Sequence, residues 1–536
     1  LEGAAVDEGM KVFLRPNVMV EPLIDQWYAW AHLVSPATAA MNVVGRHLAI
    51  MESYVRAPQV HVAAVQNPKM LGGPFVDYDR VRVDEIRALI ERTRRDRAPM
   101  IAFAEAVKEL DGLLADEASG YSLEPLYAKV PERLRGFVEL TYDLNNHATF
   151  RLVEPLLYRS EYYDPSAQTL MLSLIDRDDR PFILSTPRLA DDGDVQLRIP
   201  FAHAGVDELF RAKQEARPFA AMRDLLEVED RQLDGFRRLF TADPPARYAA
   251  YEGQGVRWRY LGHACILVEA NGVSILLDPV LSYTYDSGVS RYTYEDLPDR
   301  IDYALITHNH QDHILFETIL QLRHKIGAVV VPRSGGGALQ DPSLKLLLRA
   351  IGFPNVIEME ELGTIELAGG AITGIPFFGE HGDLDVRSKM AYLVRLGRHS
   401  LLFAADSCNI DPVLYERVHA LTGDVDVLFV GMECDGAPMS WVYGPLLTRP
   451  LERKMDQSRR LAGSNHARAS DMVRRFNCRE VYVYAMGQEP WLNYIMSVKY
   501  TPESNPIVAS DALLAECRSR GLAAERLFGE KEILLP

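Results

Sequence analysis

The sequence contains no run of about 18 apolar residues, the length a membrane-crossing helix needs. Its start, LEGAAVDEG, lacks the basic-then-apolar order of a signal peptide and reads as a trimmed end of a cytoplasmic protein. Cysteine is scarce. The five residues, at 265, 408, 434, 478 and 517, form no CxxC pair and are odd in number. That excludes a disulfide scaffold and suits a reducing compartment. Positive charge is in deficit too, with 58 Lys+Arg against 75 Asp+Glu, or −17 overall. Residues 1–250 hold 30 basic and 39 acidic groups, leaving 28 and 36 for the rest. Neither half offers a broad cationic face, so neither nucleic acid nor membrane is an expected partner. The one basic cluster, Arg92 to Arg97, is broken by Asp96 and reads as a solvated helix face. Internal repeats, low-complexity tracts and flavin, nicotinamide or Fe–S fingerprints are also missing.

What remains is an ordinary globular composition over 536 residues, 48% hydrophobic and 25% charged, enough for two to four domains. A core this large needs no structural metal, so a metal site here is functional. Pro and Gly punctuate residues 242–255, which predicts an N-terminal domain over 1–245 and a second domain over 255–536. The first half has helical patterns over 83–115 and 205–240, and two strands joined by a charged turn over Thr169 to Leu184. It is expected to be α+β, with a packing or oligomerisation role. The second half is rich in short strands, including Trp258 to Glu269 and Val273 to Leu277 on either side of Asn271-Gly272. Helical patterns at Ile314 to Lys325 and Ser343 to Ile351 lie between later strands. Together they predict an α/β sandwich with helices outside.

The strand DYALIT runs directly into His308-Asn309-His310-Gln311-Asp312-His313. A loop leaving a strand end can aim His308 and His310 at one metal, and the next turn can aim Asp312 and His313 at a second. This HxHxDH pattern resembles the metallo-β-lactamase superfamily, from about Trp258 onward. The resemblance implies a four-layer αββα fold with two metals at one edge of the sheets. It also implies further ligands downstream: Glu380 in IPFFGEHGD, a bridging Asp406 in LLFAADSCN, and His466 in SNHARAS.

Most hydrolytic members place His where Glu380 aligns, and His381 is its immediate neighbour, so both stand as candidates. With Glu380, one metal has His308, His310 and a carboxylate, and the other has Asp312, His313 and His466. Two His and a carboxylate on each suit iron that activates O2, whereas zinc favours His and has no redox chemistry. Glu433, just past the strand DVDVLFV, reads as a carboxylate beside the pair, a further ligand, or a salt-bridged loop residue. His263 in YLGHAC is expected to be structural, and Gly335-Gly336-Gly337 a turn rather than an anion cradle.

A C-terminal domain of this type, some 250 residues ahead of it, and Glu in place of the third His resemble the diiron β-hydroxylases of chloramphenicol and other nonribosomal peptide pathways. The resemblance implies two iron ions, O2 as co-substrate and Glu380, Asp406 and Glu433 as catalytic carboxylates. It further implies an amino acid held on the phosphopantetheine arm of a peptidyl carrier domain, a separate reductase as external electron donor, and a homodimer. A dinuclear zinc hydrolase acting on a lactone, thioester or phosphodiester is the alternative. A flavodiiron-like reductase would need a flavin domain, and a non-catalytic scaffold would not keep every ligand position.

Overall fold

In a computed structural model that describes residues 7–536, two seven-stranded sheets face each other across one apolar layer. The first six residues, where the trimmed end and the N-terminal domain were expected to begin, lie outside the described residues. One sheet runs in spatial order Val356–Met359, Ile326–Pro332, Ile301–Leu305, Val273–Leu277, Cys265–Ala270, Val256–Gly262, Lys531–Leu535. The other runs Thr364–Leu367, Gly370–Ile375, Ala391–Leu396, His399–Phe403, Val427–Gly431, Glu480–Tyr484, Ala523–Arg526. Trp258, Ile266, Ile275 and Leu305 of one meet Tyr392, Val394, Phe403 and Phe429 of the other. Both faces of these strands are covered, which explains why they read as nearly unbroken apolar runs.

Helices Phe316–Leu322 and Leu344–Ala350 pack with the first sheet, and Pro412–Thr422, His466–Arg475 and Asn505–Ser519 with the second. This is the expected αββα sandwich. The stretch Trp258 to Glu269 departs from expectation. It is two antiparallel strands, because the chain reverses at His263, whose φ is +51°.

The N-terminal half is α+β, with a four-stranded sheet, a three-stranded sheet and a helical layer. Residues 83–115 form two helices, Val83–Asp96 and Ala98–Glu117, since Pro99 starts a helix but cannot continue one. Arg97 at that break is buried and pairs with Asp25 at 2.6 Å and Asp164 at 2.6 Å, so the cluster is not wholly solvated. Thr169 to Leu184 contains one strand, Gln168–Leu174, not two. The rest leaves the sheet to bury Phe182, Ile183 and Leu184 and to send Arg180 inward.

Arg180 joins the two halves. It pairs with Glu21 at 2.7 Å and with Glu317 at 2.8 Å, and its guanidinium lies 3.6 Å from the Tyr494 ring. Glu317 also accepts from Tyr28 at 2.5 Å and Tyr283 at 2.6 Å. A charge cluster this buried is held together by its completeness, and removing one member costs about 3–5 kcal/mol. Glu317 sits four residues after His313, so the junction abuts the histidine-rich loop. Among the described residues, no helix is long and apolar enough to cross a membrane.

Candidate metal centre

The strand Ile301–Leu305 delivers the histidine-rich segment to one end of the first sheet. Thr307 anchors it, donating from its backbone N–H and its hydroxyl to Asp278, each at 2.7 Å. Met390 N–H donates to the Thr307 carbonyl at 2.7 Å, which ties this end to the second sheet. The chain then turns, with the N–H groups of His313 and Ile314 both donating to the His310 carbonyl at 3.1 Å.

The donor atoms fall into three overlapping groups, each within 4.8 Å internally: His308, His310 and Glu380; His308, His313 and Asp406; and His263, Asp312 and His313. Glu380 Oε1 lies 2.7 Å from His310 Nδ1, and Oε2 lies 3.8 Å from His308 Nε2. Asp406 Oδ2 stands 3.1 Å from His313 Nε2 and 3.9 Å from His308 Nε2, between the two halves. His381 belongs to none of these groups among the described residues. Its Nδ1 instead lies 2.9 Å from Glu380 Oε2.

Each motif histidine has one ring nitrogen engaged away from the centre. His308 Nδ1 meets the Thr307 hydroxyl at 3.0 Å, His310 Nε2 meets the Tyr443 hydroxyl at 3.1 Å, and His313 Nδ1 meets Asp278 at 2.8 Å. The other nitrogen of each is thereby fixed towards the carboxylates, the arrangement that orients metal-binding imidazoles. His308 Nε2 and Asp406 Oδ1 are buried without a hydrogen-bond partner. Orphaned polar atoms cost about 1–3 kcal/mol each, and His308 Nε2 stands 3.8 Å from Glu380 Oε2 and 3.9 Å from Asp406 Oδ2, spacings that a cation held between them would fill. The residues therefore fit a dinuclear metal group.

The charge states follow from this packing: burial would lower His310 and His313, but Glu380 beside the first and Asp406 and Asp312 beside the second raise both. Burial alone would raise the Glu380 pKa, but His310, His381 and His308 outweigh it and hold the carboxyl well below its usual range. Asp312 is lowered in the same way, with burial opposed by His313 and His263. Burial lowers His308, aided by His313, which keeps a neutral ring with a lone pair for a metal. Backbone strain gathers here too. Asp278, Glu380 and Ala405 adopt φ of +37°, +69° and +45°, a region costly to side-chain-bearing residues.

His466 is a correction. It is the first residue of helix His466–Arg475, its side chain is 41% exposed, and its Nε2 lies 2.9 Å from Glu516. The helix start turns it to the outer layer, and it joins none of the three groups among the described residues. His263, expected to be only structural, instead touches the centre through Asp312 at 3.0 Å. Among the described residues Glu433 makes no salt bridge. Its Oε1 accepts from Gly436 N–H at 2.7 Å and Asp435 N–H at 3.1 Å, and its Oε2 accepts from the Tyr500 hydroxyl. The Gly335–Gly337 run is a packed turn, its first N–H donating to Asp341 at 2.5 Å and Gly337 lying against the Leu152 backbone.

A cleft of about 450 Å3 opens on the centre, lined by His310, Asp312, Glu380, Asp406 and Glu433. That volume suits a small organic substrate. Its wall includes Trp441, Leu461 and Met496, and Leu71 and Gly72 from the N-terminal half. Sequence reasoning missed Asp278, Tyr443 and this N-terminal contribution. Only Asp278, an acid directly after the strand Val273–Leu277, carried a local signal.

Comparison with known proteins follows the same outline. The family model described as "Diiron non-heme beta-hydroxylase N-terminal domain" matches residues 13–244, and that of the "Beta-lactamase superfamily domain" matches 274–458. The 4-amino-L-phenylalanyl-[CmlP-peptidyl-carrier-protein] 3-hydroxylase of Streptomyces venezuelae is 42% identical over 534 residues, 98% of this chain and 100% of that protein. The crystal structure of CmlA, a diiron β-hydroxylase from Streptomyces venezuelae, superposes with a TM-score of 0.93 at 40% identity, covering 98% of this chain and 100% of that one. A metal-dependent hydrolase of Methanopyrus kandleri is 33% identical over 123 residues, 23% of this chain and 46% of that protein.

Proposed function

We propose, from the fact that this chain belongs to the diiron non-haem β-hydroxylase family, that it hydroxylates the β-carbon of an aminoacyl group held as a thioester on the phosphopantetheine arm of a peptidyl carrier domain. The observation that carries the reading is Glu380 against His308 and His310, a carboxylate where zinc hydrolases of this fold place His. His308, His310 and Glu380 would hold one iron, Asp312 and His313 the other, and Asp406 would bridge them. When bound, the iron pair supplies the O2 chemistry, which consumes two external electrons per turnover.

The remaining steps belong to the protein's own groups. Asp278 keeps the His313 proton on Nδ1, leaving Nε2 free to ligate. His310 is steered likewise by Tyr443. Glu433, fixed by Tyr500 and two N–H groups, presents a carboxylate on the cleft wall beside the centre. Trp441, Leu461 and Met496 exclude water around the aminoacyl side chain. We extend the proposal to a separate reductase as electron donor, a homodimer, and a cytoplasmic setting, which the five free thiols suit. The N-terminal domain, from the start to residue 245, would serve the carrier and the dimer, with catalysis over 255–536.

The test is elemental analysis together with turnover of carrier-loaded amino acids under O2 and reductant. Two irons per chain and gain of one oxygen atom on the loaded carrier, read by mass spectrometry, are expected. Two zincs after growth in iron-rich medium, with thioester hydrolysis instead, would overturn it.

A further inference from the structure

The turn that carries Glu380 brings two metal-binding side chains to the centre, and only one of them joins the donor groups. His381, the immediate neighbour, is buried with its Nε2 unpartnered, and its ring centroid lies 4.6 Å from that of His310. An imidazole in this place is the group that zinc would choose over a carboxylate. What holds Glu380 forward is therefore a matter of the backbone between them.

That backbone is strained. Gly379, Glu380, Gly382 and Asp383 adopt φ of +82°, +69°, +59° and +58°. Only the glycines hold such values without cost, so the turn depends on its surroundings to keep this shape. Two cations supply the hold. Lys389 Nζ donates to the Gly379 carbonyl at 3.1 Å, and Arg459 Nε donates to the Gly382 carbonyl at 2.7 Å. These two carbonyls bracket the Glu380–His381 pair. Both cations are half-buried, and neither makes an ion pair among the described residues. Each directs its charge-assisted hydrogen bond to the turn instead. Burial lowers the Lys389 pKa, and Glu380 is foremost among the acids that oppose that shift.

The cations are themselves anchored. The Lys389 backbone pairs with His308 in an isolated bridge, and the Arg459 carbonyl accepts the Met439 N–H at 2.8 Å. A Cβ on Gly379 would come within 2.6 Å of Cys408, and one on Gly382 within 2.7 Å of Met439. The turn is wedged at both ends as well as gripped.

We propose that Lys389 and Arg459 are positioning residues that lock this turn with Glu380, and not His381, towards the metals, and so bias the site to iron over zinc. The inference rests on Glu380 as an iron ligand, as proposed above.

The test loads metal-stripped full-length protein under argon with equal Fe(II) and Zn(II), and counts the bound metals by mass spectrometry. Groups that orient a ligand change metal affinity about 10–100-fold, so the iron-to-zinc ratio of K389M/R459M should fall about ten-fold or more below wild type. K389Q/R459Q, which removes the charges but keeps polar side chains, should fall in the same direction and guards against misfolding. K389R, which keeps a cation, should hold the wild-type ratio. Adding H381A to either double variant should remove the zinc it gained, an effect that general loosening of the fold does not produce. A wild-type ratio in both double variants, or gained zinc that survives H381A, would overturn the lock alone. If Glu380→Ala, loaded alongside, keeps the wild-type ratio, the Glu380 reading itself falls, and the lock with it.

Discussion

Arg46 donates from Nη2 to the main-chain carbonyl of Trp441 at 2.6 Å, across 395 positions of sequence. It also reaches the Val442 carbonyl at 3.3 Å, and Gly45 beside it lets the backbone approach Pro445, where a Cβ would come within 2.9 Å. Arg46 lies in the π-helical turn Val43–Leu48, a rare geometry often found at functional sites. The segment it grips carries Trp441, on the cleft wall, and Tyr443, the hydrogen-bond partner of His310. Arg46→Met keeps the stem but strands those carbonyls, at a cost of about 1–3 kcal/mol. Thermal unfolding should show the loss, and KM for carrier-bound substrate should rise more than kcat falls.

Replacing Glu380 separates the metal readings. Glu380→Ala should lose iron and turnover, and Glu380→His should shift the site towards zinc. Elemental analysis of both variants checks this. Retained iron and normal turnover in Glu380→Ala would move the ligand role to His381.

Asp278→Asn tests orientation without removing a ligand. Asn tolerates the φ of +37° at this position, yet it cannot accept both the Thr307 and the His313 protons as a carboxylate does. Iron affinity should fall about 10–100-fold, measured by competition with a chelator.

His466→Ala should keep two irons and near-normal turnover. It removes only a partly exposed pair with Glu516, and such pairs contribute about 0–1 kcal/mol. Loss of one iron equivalent in this variant would restore His466 to the ligand set.

Burial pushes the Glu154 carboxyl from 4.5 up to about 7, while its oxygen accepts the Ser343 N–H at 3.0 Å. A carboxyl raised on folding favours the folded state while protonated. Its contribution is full below pH 4.5 and is lost as pH climbs to about 7, about 3 kcal/mol in all. Glu154→Gln should therefore gain on wild type across that window and hold a constant lead above it, as denaturant titrations at pH 5 and pH 8 would show.

The parts of the centre legible in sequence were those packed into one short segment or placed at a strand end. His308, His310, Asp312 and His313 share six positions, and Asp406 follows an apolar strand that announces itself. Glu380 is set apart from His381 only by geometry, since its carboxylate lies 2.7 Å from His310 whereas His381 joins none of the donor groups among the described residues. His466 misled because a histidine opening a helix looks the same in sequence whether it faces a metal or Glu516. Asp278 and His263 become neighbours of the centre through strand pairing that brings Leu277 beside Leu305 and Ile266. Tyr443, Arg46 and Gly72 meet over hundreds of residues, and no local pattern encodes such a meeting. The single long strand expected over Trp258 to Glu269 failed for a related reason: one left-handed residue reverses a chain without changing its hydrophobicity.

The cleft wall closes where the Gly72 loop meets Ser497, a Cβ on the glycine coming 3.6 Å from that serine, and this has a consequence for synthesis. The ribosome releases this loop early, but its counterpart at Ser497 follows 425 positions later. At about 5–20 residues per second, the gap is roughly 20–85 s. Throughout that interval Tyr28, which ends up buried against the Tyr494 ring, lacks that partner. Co-expression of a holding chaperone should therefore raise the yield of soluble enzyme, and the gain should grow as elongation is slowed.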